Sequence, residues 1–342
     1  MTREKAKVDW DDLNFDVYNT RSMYYATCSL NGAWSKGTLI PYGNIELSPA
    51  AGVLNYGQGV FEGTKAYHTA KDNIVLFRLD KNAERMAFST KRLCIPTMDP
   101  KFFKEAVIST VKDNLDFIPP YPKGSLYIRP IVWGTSPALG VKPAQEYTFI
   151  VFVSPVGPYF KGGVKLLNLK IENDYHRAAR KGIGNAKAIG NYSASLYPLS
   201  LAKKEGFDEV IYLDSVNGKK IEELGSANLF IYSNGKLKTP KLSGSILDGV
   251  TRNSICNISS EILGIEVEET DIYIDDILTA DEVFCTGTAV VVTPVGKISY
   301  NNAVYKFNNG EIGPITKKYK DTLMAIQCEE IDDPFGWLHP VM

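Results

Sequence analysis

Lys187 lies in a run of glycine and small residues, 182–192, that also contains two asparagines. Glycine allows backbone conformations that other residues avoid, and it lets a flat ligand lie close to the chain. A lysine amine forms a Schiff base with a carbonyl compound when its surroundings keep part of it neutral. Most lysines are solvated surface charges, so Lys187 alone leaves two interpretations open, a reactive amine and a mobile basic loop.

Two further segments contain more polar residues and glycine than a packed core needs. Residues 222–228 precede a predicted strand and carry Glu222 and Glu223. A carboxylate there could face the ring nitrogen of a pyridine cofactor and keep it protonated, or simply belong to a solvated turn. Residues 247–252 open a predicted helix with a glycine and a threonine. The backbone amides at the start of a helix can bind phosphate, so residues 247–252 could hold a phosphate group. Such a segment is also commonly a glycine-containing helix cap without a ligand.

Weaker signals lie elsewhere in the chain. Residues 285–289 read Cys-Thr-Gly-Thr-Ala, a small-residue turn between predicted strands whose hydroxyls and amides suit a phosphate or carboxylate. Arg85 and Arg129 stand in otherwise apolar elements, where an arginine usually makes a structural ion pair. Residues 56–63 form an aromatic, glycine-rich stretch that either walls a pocket or packs as a turn.

Composition indicates a soluble enzyme-sized protein. The chain has 342 residues, 44% of them apolar and 23% charged, and its formal net charge is 38 − 39 = −1. That balance excludes a basic footprint for nucleic acid or an anionic membrane. The five scattered cysteines and three distant histidines predict neither a disulfide scaffold nor a metal site. The N-terminus resembles neither a secretory signal nor a transit peptide, and no apolar run is long enough to cross a bilayer, so we expect a cytoplasmic protein.

Strands and helices must position these residues, and they fall into two blocks. A proline- and glycine-rich stretch at 154–163 separates the blocks, which predicts a smaller N-terminal α/β domain at 1–155, an interdomain loop at 156–164 and a larger domain at 165–342. We therefore expect an α/β (α+β) protein with a cleft between its domains. Predicted helices are 80–93 with Asp80 as N-cap, 100–117, 194–205, 248–263 and 314–331; predicted strands are 125–133, 147–153, 165–171, 209–213, 228–232, 283–286 and 290–295.

Taken in order, these segments resemble the branched-chain amino-acid aminotransferases, which share a pyridoxal-phosphate fold with D-amino-acid aminotransferases and aminodeoxychorismate lyases. The resemblance runs from Tyr56 to the closing Gly-Trp-Leu-His-Pro-Val at 336–341. Each motif is short, but their order and spacing over nearly the whole chain are specific. The motifs are Phe-Glu-Gly-Thr-Lys-Ala at 61–66, Glu-Arg-Met at 84–86, Arg-Leu-Cys-Ile-Pro at 92–96, Ser-Leu-Tyr-Ile-Arg-Pro at 125–130, Leu-Gly at 139–140, Pro-Val-Gly at 155–157, Gly-Asn-Ala-Lys at 184–187 and Gly-Asn-Tyr at 190–192.

The resemblance implies a two-domain fold type IV enzyme with pyridoxal 5'-phosphate in the interdomain cleft. By that likeness Lys187 forms the Schiff base and then moves a proton between the substrate Cα and the cofactor's C4′. Glu223 pairs with the ring nitrogen and Tyr192 with the ring hydroxyl. The implied phosphate ligands are Arg85, Thr288 and the amides of Val250 and Thr251. The implied site for the substrate carboxylate consists of the Thr288 and Ala289 amides with Tyr56 and Arg129. The implied walls of the side-chain pocket are Phe61, Tyr127 and Tyr159.

The implied reaction exchanges an amino group between L-leucine, L-isoleucine or L-valine and 2-oxoglutarate, giving branched 2-oxo acids and L-glutamate. An apolar pocket gains about 0.8 kcal/mol per buried methylene, which favours branched side chains. Arg129 is the candidate for the second carboxylate of glutamate. The family further implies a homodimer with small-molecule partners, and we expect no metal, nucleic acid or membrane.

The chain departs from the family pattern in several places. Val290-Val-Val-Thr293 replaces a redox pair of cysteines found in mammalian members, residues 19–23 lack the expected N-terminal aromatic, and Ala186 stands where the family often has an aromatic residue. Three functions remain as alternatives to a branched-chain aminotransferase. They are a D-amino-acid aminotransferase, an aminodeoxychorismate lyase and a non-catalytic cofactor-binding protein. Ile131, two residues after Arg129, disfavours the Arg-x-His pair of the D-enzymes.

Overall fold

The structure is a computed structural model that describes residues 5–159 and 165–341. The chain forms two compact units, which are Met1–Lys161 with Ala186–Gly190 and Ala325–Met342, and Gly162–Asn185 with Asn191–Met324. Lys187 therefore lies in a five-residue segment of the first unit, Ala186–Gly190, and the chain on both sides of that segment belongs to the second unit. Residues 160–164 of the expected interdomain loop lie outside the described residues, and the domain division drawn from the sequence stays a prediction.

The strands carry numbers in chain order. They are β1 Ser22–Ser29, β2 Thr38–Pro41, β3 Gly59–Phe61, β4 Thr64–His68, β5 Ile74–Phe77, β6 Ser125–Gly134, β7 Glu146–Val156, β8 Leu167–Glu172, β9 Glu209–Leu213, β10 Lys220–Leu224, β11 Asn228–Ser233, β12 Lys236–Pro240, β13 Val267–Thr270, β14 Ile272–Tyr273, β15 Glu282–Gly287, β16 Val291–Tyr300, β17 Ala303–Lys306 and β18 Leu338–Pro340.

The helices follow local start signals in part. Pro100 opens one of them directly after Asp99, whose side chain accepts a hydrogen bond from the Lys101 amide at 2.6 Å. The helices are α1 Gly52–Tyr56, α2 Leu79–Arg92, α3 Pro100–Asp113, α4 Ile189–Ala194, α5 Leu196–Lys204, α6 Val250–Ile258, α7 Ile274–Leu278 and α8 Pro314–Gln327, with 3-10 turns at Leu115–Phe117 and Asn308–Gly310 and a π-helical turn at Ser259–Leu263.

The first unit is built on one antiparallel sheet with the strand order β18-β5-β4-β6-β7-β1-β2, in which β3 also pairs with β6. Side chains of a strand alternate between the two faces of its sheet. Leu126, Ile128 and Val132 of β6 are buried in the core that α2 and α3 cover. The intervening Tyr127 and Arg129 therefore point to the opposite face. Because side chains alternate along β6, its core residues and its candidate site residues lie on different faces of the sheet.

The second unit is built on a mixed sheet with the strand order β13-β12-β11-β15-β16-β8-β9-β10-β14, in which β17 also pairs with β16. Strand β8 runs parallel to β9 and to β16, whereas β9 and β10 are antiparallel. Ala202 of α5 packs with Val210 and Tyr212 of β9. Two sheets with helices confirm the α/β class expected from the sequence.

Most predicted elements are present, with shifted ends. The predicted helix 194–205 is divided between α4 and α5 at Ser195, and the helix 248–263 ends in the π-helical turn. The prediction that Asp80 is an N-cap is wrong. Arg78 occupies that position in a left-handed conformation, and its amide donates to the Trp337 carbonyl at 2.8 Å. A tertiary contact therefore sets where α2 begins.

The interpretation of residues 222–228 as a solvated turn ahead of a strand is also wrong. Glu222 and Glu223 lie within β10 itself and are buried, with 6% and 3% of their surface exposed. Buried carboxylates need partners, and those partners come from distant parts of the chain. Within the described ranges, no helix has the length and apolar character needed to cross a membrane.

Candidate active site

The main chain around Lys187 is held on both sides by elements of the first unit. Its amide donates to the Ser89 hydroxyl of α2 at 3.0 Å, and its carbonyl accepts from the Phe61 amide of β3 at 3.1 Å. Ala188 forms an isolated bridge with Val60. The lysine amine stands 4.7 Å from the centre of the Phe61 ring. The small-residue run therefore works as a short edge segment that fixes Lys187 against β3.

Close approach explains a glycine beside this segment. A Cβ on Gly59 would stand 3.0 Å from Ile189 Cδ1 and 3.2 Å from Trp133 Cβ. Either contact is tighter than ordinary van der Waals separation. Glycine at the start of β3 thus lets the run that carries Lys187 lie against the sheet.

Arg129, Tyr127 and Phe61 form one group on the face of the sheet opposite the core. The Arg129 guanidinium lies 4.7 Å from the Phe61 ring centre and 5.3 Å from that of Tyr127. Its Nη2 donates to the Tyr127 hydroxyl at 3.0 Å. Among the described residues its buried Nε has no hydrogen-bond partner. The arrangement is a cation held between aromatic rings, which suits a ligand that is apolar along its body and anionic at one end.

An aromatic residue missed in the sequence completes this group. The Phe15 ring packs edge-on against Tyr127 and against Tyr159, with centroids 5.0 Å apart in both cases. Residues 19–23 lack the aromatic that the family pattern led us to seek. Phe15 lies just before that stretch, and only its packing against Tyr127 and Tyr159 singles it out.

Arg85 is bound on two sides by Glu62. Its Nε donates to Oε1 at 2.7 Å and its Nη2 to Oε2 at 2.8 Å. Glu62 is fully buried and also accepts from Asn82 Nδ2 at 2.7 Å. This bidentate pair orients the guanidinium. Glu62 was not singled out in the sequence, although it lies in the Phe-Glu-Gly motif.

Tyr56 contacts the loop that carries Leu139. Its side chain is exposed, and its hydroxyl donates to the carbonyl of Leu139. In the first unit the structure thus gathers Lys187, Phe61, Tyr127 and Arg129, with Tyr159 joined through Phe15. Tyr56 and Arg85 have their described contacts elsewhere, with Leu139 and Glu62.

In the second unit Glu223 is clamped by three donors. Arg177 Nη2 lies 2.6 Å from its Oε1, and the Leu247 amide donates to the same oxygen at 2.9 Å. Asn228 Nδ2 donates to Oε2 at 3.0 Å. An ion pair and two neutral donors favour the ionised carboxylate. Arg177 and Asn228 were not predicted to have a role, because neither has a distinguishing sequence pattern around it.

The start of α6 lies beside this carboxylate. Gly249 is its N-cap, followed by the buried Val250 and Thr251. A Cβ on Gly249 would stand 2.0 Å from Asn228 Oδ1, so the position requires glycine. Asn228 Nδ2 also donates to the Leu247 carbonyl at 2.9 Å. One amide side chain thus ties Glu223 to the turn that opens the helix.

The other predicted residues of the second unit occupy a turn and a helix. Thr288 and Ala289 lie in the turn between β15 and β16, and Tyr192 is a half-buried residue of α4. At the end of β15 the buried Thr286 hydroxyl has no hydrogen-bond partner within the described residues.

These donors fit pyridoxal phosphate. A buried, ionised glutamate suits a protonated ring nitrogen, while helix-start amides and an unpartnered hydroxyl suit a phosphate. The lysine on the sheet of the first unit suits a carbonyl carbon.

Known proteins agree with this chemistry. The class IV amino-transferase family model matches residues 59–298. The chloroplastic branched-chain-amino-acid aminotransferase 5 of Arabidopsis thaliana is 46% identical over 98% of this chain and 80% of its own length. The crystal structure of the Escherichia coli branched-chain amino acid aminotransferase is 30% identical, with a TM-score of 0.82 over 94% of this chain and 100% of that one.

A further solved structure shows a relative with a bound compound. The branched-chain aminotransferase of the archaeon Thermoproteus uzoniensis, crystallised with norvaline, is 29% identical, with a TM-score of 0.80 over 94% of this chain and 100% of that one. The chain therefore belongs to the class IV aminotransferases, which are pyridoxal-phosphate-dependent transaminases. The resemblance drawn from the sequence motifs is confirmed.

Proposed function

We propose that this transaminase exchanges the amino group of L-leucine, L-isoleucine or L-valine with 2-oxoglutarate, giving branched 2-oxo acids and L-glutamate. The observation that carries the proposal is the group formed by Arg129 with Phe61, Tyr127 and Phe15. An aromatic wall favours a branched apolar side chain. One cation set into that wall provides for the second carboxylate of glutamate. The names of the relatives point to the same substrates.

Lys187 is proposed as the catalytic residue. Its amine would hold the carbonyl carbon of the cofactor and, as a free amine, would carry a proton to and from the substrate Cα. Its main chain is fixed by Ser89 and Phe61, so the side chain pivots from an anchored point. When bound, pyridoxal phosphate supplies a ring that accepts the electrons left at Cα.

The remaining roles follow from charge and donor type. Glu223 keeps the ring nitrogen protonated, and Tyr192 donates to the ring hydroxyl. Arg85, Thr288 and the amides of Val250 and Thr251 bind the phosphate, with Glu62 orienting the Arg85 guanidinium. The amides of Thr288 and Ala289, with Tyr56 and Arg129, bind the substrate carboxylate. Phe61, Tyr127, Tyr159 and Phe15 wall the side-chain pocket.

A homodimer is part of the proposal. Leu54, Leu139 and Val141 are 60%, 91% and 85% exposed. The loop that carries Leu139 is attached to the α1 region, since the Ala138 amide donates to the Ala50 carbonyl at 2.9 Å. Exposed apolar side chains grouped on one anchored surface favour contact with another protein surface. Light scattering should give twice the mass of one chain, and Leu139→Glu should reduce that mass.

For location we propose the cytoplasm. The free thiols of Cys28, Cys94, Cys256, Cys285 and Cys328 fit a reducing compartment. The Arabidopsis relative is named as chloroplastic, so the measurement is fractionation of the source cells, and recovery in an organelle would contradict the proposal.

One assay tests the reaction. Leucine, isoleucine, valine and D-alanine are each supplied with 2-oxoglutarate, and glutamate formation is measured. We expect turnover with the three branched L-amino acids, none after Lys187→Ala, and unchanged turnover after Lys204→Ala, which alters an exposed lysine of α5. Preference for D-alanine would contradict the substrate assignment, and activity retained by Lys187→Ala would contradict the assigned lysine.

A further inference from the structure

Glu222 and Glu223 are adjacent in β10, yet both reach the same buried group. Neighbouring residues of a regular strand point to opposite faces. The pairing of β10 with β9 shifts register between Ile221 and Leu224, where the two glutamates lie. Such a bulge redirects side chains and is frequent next to active sites. Here it accompanies contacts of Glu223 with Arg177 and of Glu222 with Ser245.

A continuous chain of contacts joins the two carboxyl groups. Arg177 Nη2 lies 2.6 Å from Glu223 Oε1 and also donates to the Ser245 carbonyl. The Ser245 hydroxyl donates to Glu222 Oε1. Arg177 and Ser245 are 7% and 1% exposed, so water does not screen the group. Arg177 thus pairs directly with Glu223 and is linked to Glu222 through Ser245.

The two carboxyl groups are not equivalent. Glu223 has the ion pair and the donors Asn228 and Leu247. Glu222 Oε2 is buried and lacks a hydrogen-bond partner in the described part of the chain. Burial raises the pKa of Glu222, with Ser245, Arg177 and His176 opposing the rise and Asp214 adding to it. Of the two carboxyl groups, Glu222 is therefore the one that binds a proton more readily.

A bound cofactor would change the net charge around Arg177, Glu222 and Glu223. With Glu223 ionised and Glu222 protonated, Arg177 and the two glutamates together carry no net charge. A protonated ring nitrogen placed next to Glu223 adds one positive charge. An uncompensated charge in a buried group is unfavourable, and loss of the Glu222 proton restores neutrality.

We propose that Glu222 is a positioning residue of the cofactor site, one that keeps its proton without the cofactor and releases it when the positive ring nitrogen reaches Glu223. The proton leaves Glu222 Oε2 for the solvent, and the new carboxylate acts on Glu223 through Ser245 and Arg177. This inference rests on the proposed contact of Glu223 with the ring nitrogen. In this inference the Glu222 carboxyl group, as well as that of Glu223, compensates the positive charge of the ring nitrogen.

The test counts protons. Pyridoxine 5'-phosphate is the probe, because its alcohol cannot react with Lys187 and binding stays non-covalent. Calorimetric titration of the cofactor-free protein, in buffers of different ionisation enthalpy, gives the protons released per ligand bound. Glu222→Gln should release fewer protons than the unsubstituted protein, by up to one. Its Kd should also depend less steeply on pH, by up to about tenfold per pH unit.

Glu209→Gln is the matched control. Glu209 is a buried glutamate of β9 whose pKa burial also raises, and its described hydrogen bond is from the Val210 amide. We expect proton release in this variant to equal that of the unsubstituted protein. Equal release in Glu222→Gln and the unsubstituted protein would overturn the inference.

A spectroscopic measurement covers the case in which Glu222→Gln does not fold. Adding the probe to the unsubstituted protein should reduce the infrared carbonyl band of protonated carboxyl groups, and an unchanged intensity of that band would overturn the inference. Failure of the probe to bind, together with absent transamination, would instead overturn the proposed function.

Discussion

Gly63 leaves the space that the Tyr127 hydroxyl occupies. A Cβ on Gly63 would stand 2.3 Å from the Tyr127 hydroxyl oxygen. That oxygen accepts the hydrogen bond from Arg129 Nη2 at 3.0 Å. The glycine of the Phe-Glu-Gly motif therefore decides where the phenol lies and, through it, where the Arg129 guanidinium is held.

Gly63→Ala should displace Tyr127 and loosen Arg129. We expect the KM for 2-oxoglutarate and for leucine to rise several-fold while the cofactor still binds, because the change affects the pocket wall. Steady-state kinetics with visible absorption of the cofactor measures both effects. The control is Gly43→Ala, since a Cβ there meets nothing within 4 Å. Unchanged KM values in Gly63→Ala would contradict the proposed role of Tyr127.

Glu62→Ala should destabilise the first unit strongly. The fully buried Glu62 accepts from Arg85 and Asn82, and removing one partner of a buried ion pair typically costs about 3–5 kcal/mol. The urea midpoint should fall markedly. Glu105→Ala is the control, because its contact with Lys101 at 4.0 Å is exposed and worth under about 1 kcal/mol. Equal midpoints for the two variants would refute a structural role for the Glu62 pair.

Lys65 of β4 should make stability depend on alkaline pH. Burial lowers the pKa of Lys65 from 10.5 to about 8, with Cys328 opposing the shift. Between these values the unfolded chain binds more protons than the folded one, so the free energy of unfolding rises with pH. Below about pH 8 the buried charge of Lys65 lowers the free energy of unfolding by its full amount, roughly 3 kcal/mol.

Lys65→Met removes that charge. It should be more stable than the unsubstituted protein at neutral pH, and the difference should disappear as pH rises through the window from about 8 to 10.5. Urea unfolding at a series of pH values measures the difference. Lys101→Met, at a lysine with 83% of its side chain exposed, should show no such trend. A constant difference at all pH values would refute the prediction.

Asn228→Ala should weaken cofactor binding. Its amide group donates to Glu223 Oε2 at 3.0 Å and to the Leu247 carbonyl at 2.9 Å. Losing these bonds, each worth about 1 kcal/mol, should raise the Kd for pyridoxal phosphate about tenfold or more. Absorbance titration of the cofactor-free protein gives the Kd. Asn173→Ala, at an exposed residue bonded to Asn301, should leave it unchanged. The same Kd in both variants would show that Asn228 does not position Glu223.

Local sequence patterns predicted the helices and strands better than they predicted the surroundings of individual side chains. β-Branched and aromatic residues predicted β6 and β7, and the prolines that follow Phe117 marked the end of the helical region that begins with α3. These signals depend on residues close in sequence. The Asp80 cap was wrong, and of the two interpretations left open for residues 222–228, the solvated turn is excluded by the burial of Glu222 and Glu223. In both cases a distant residue decides the outcome, Trp337 for Arg78 and Arg177 for Glu223.

The sequence by itself determined the family and drew attention to Lys187 and Glu223. Its motifs are ordered runs of particular residues, and such order is visible without coordinates. Only the tertiary structure decided that Phe15 joins Tyr127, that Glu62 binds Arg85 and that Ser245 links Glu222 to the Arg177–Glu223 pair. Each of these relations joins residues far apart in the chain or depends on a bulge. Burial gives them their strength, because a buried charge must find its partner within the fold.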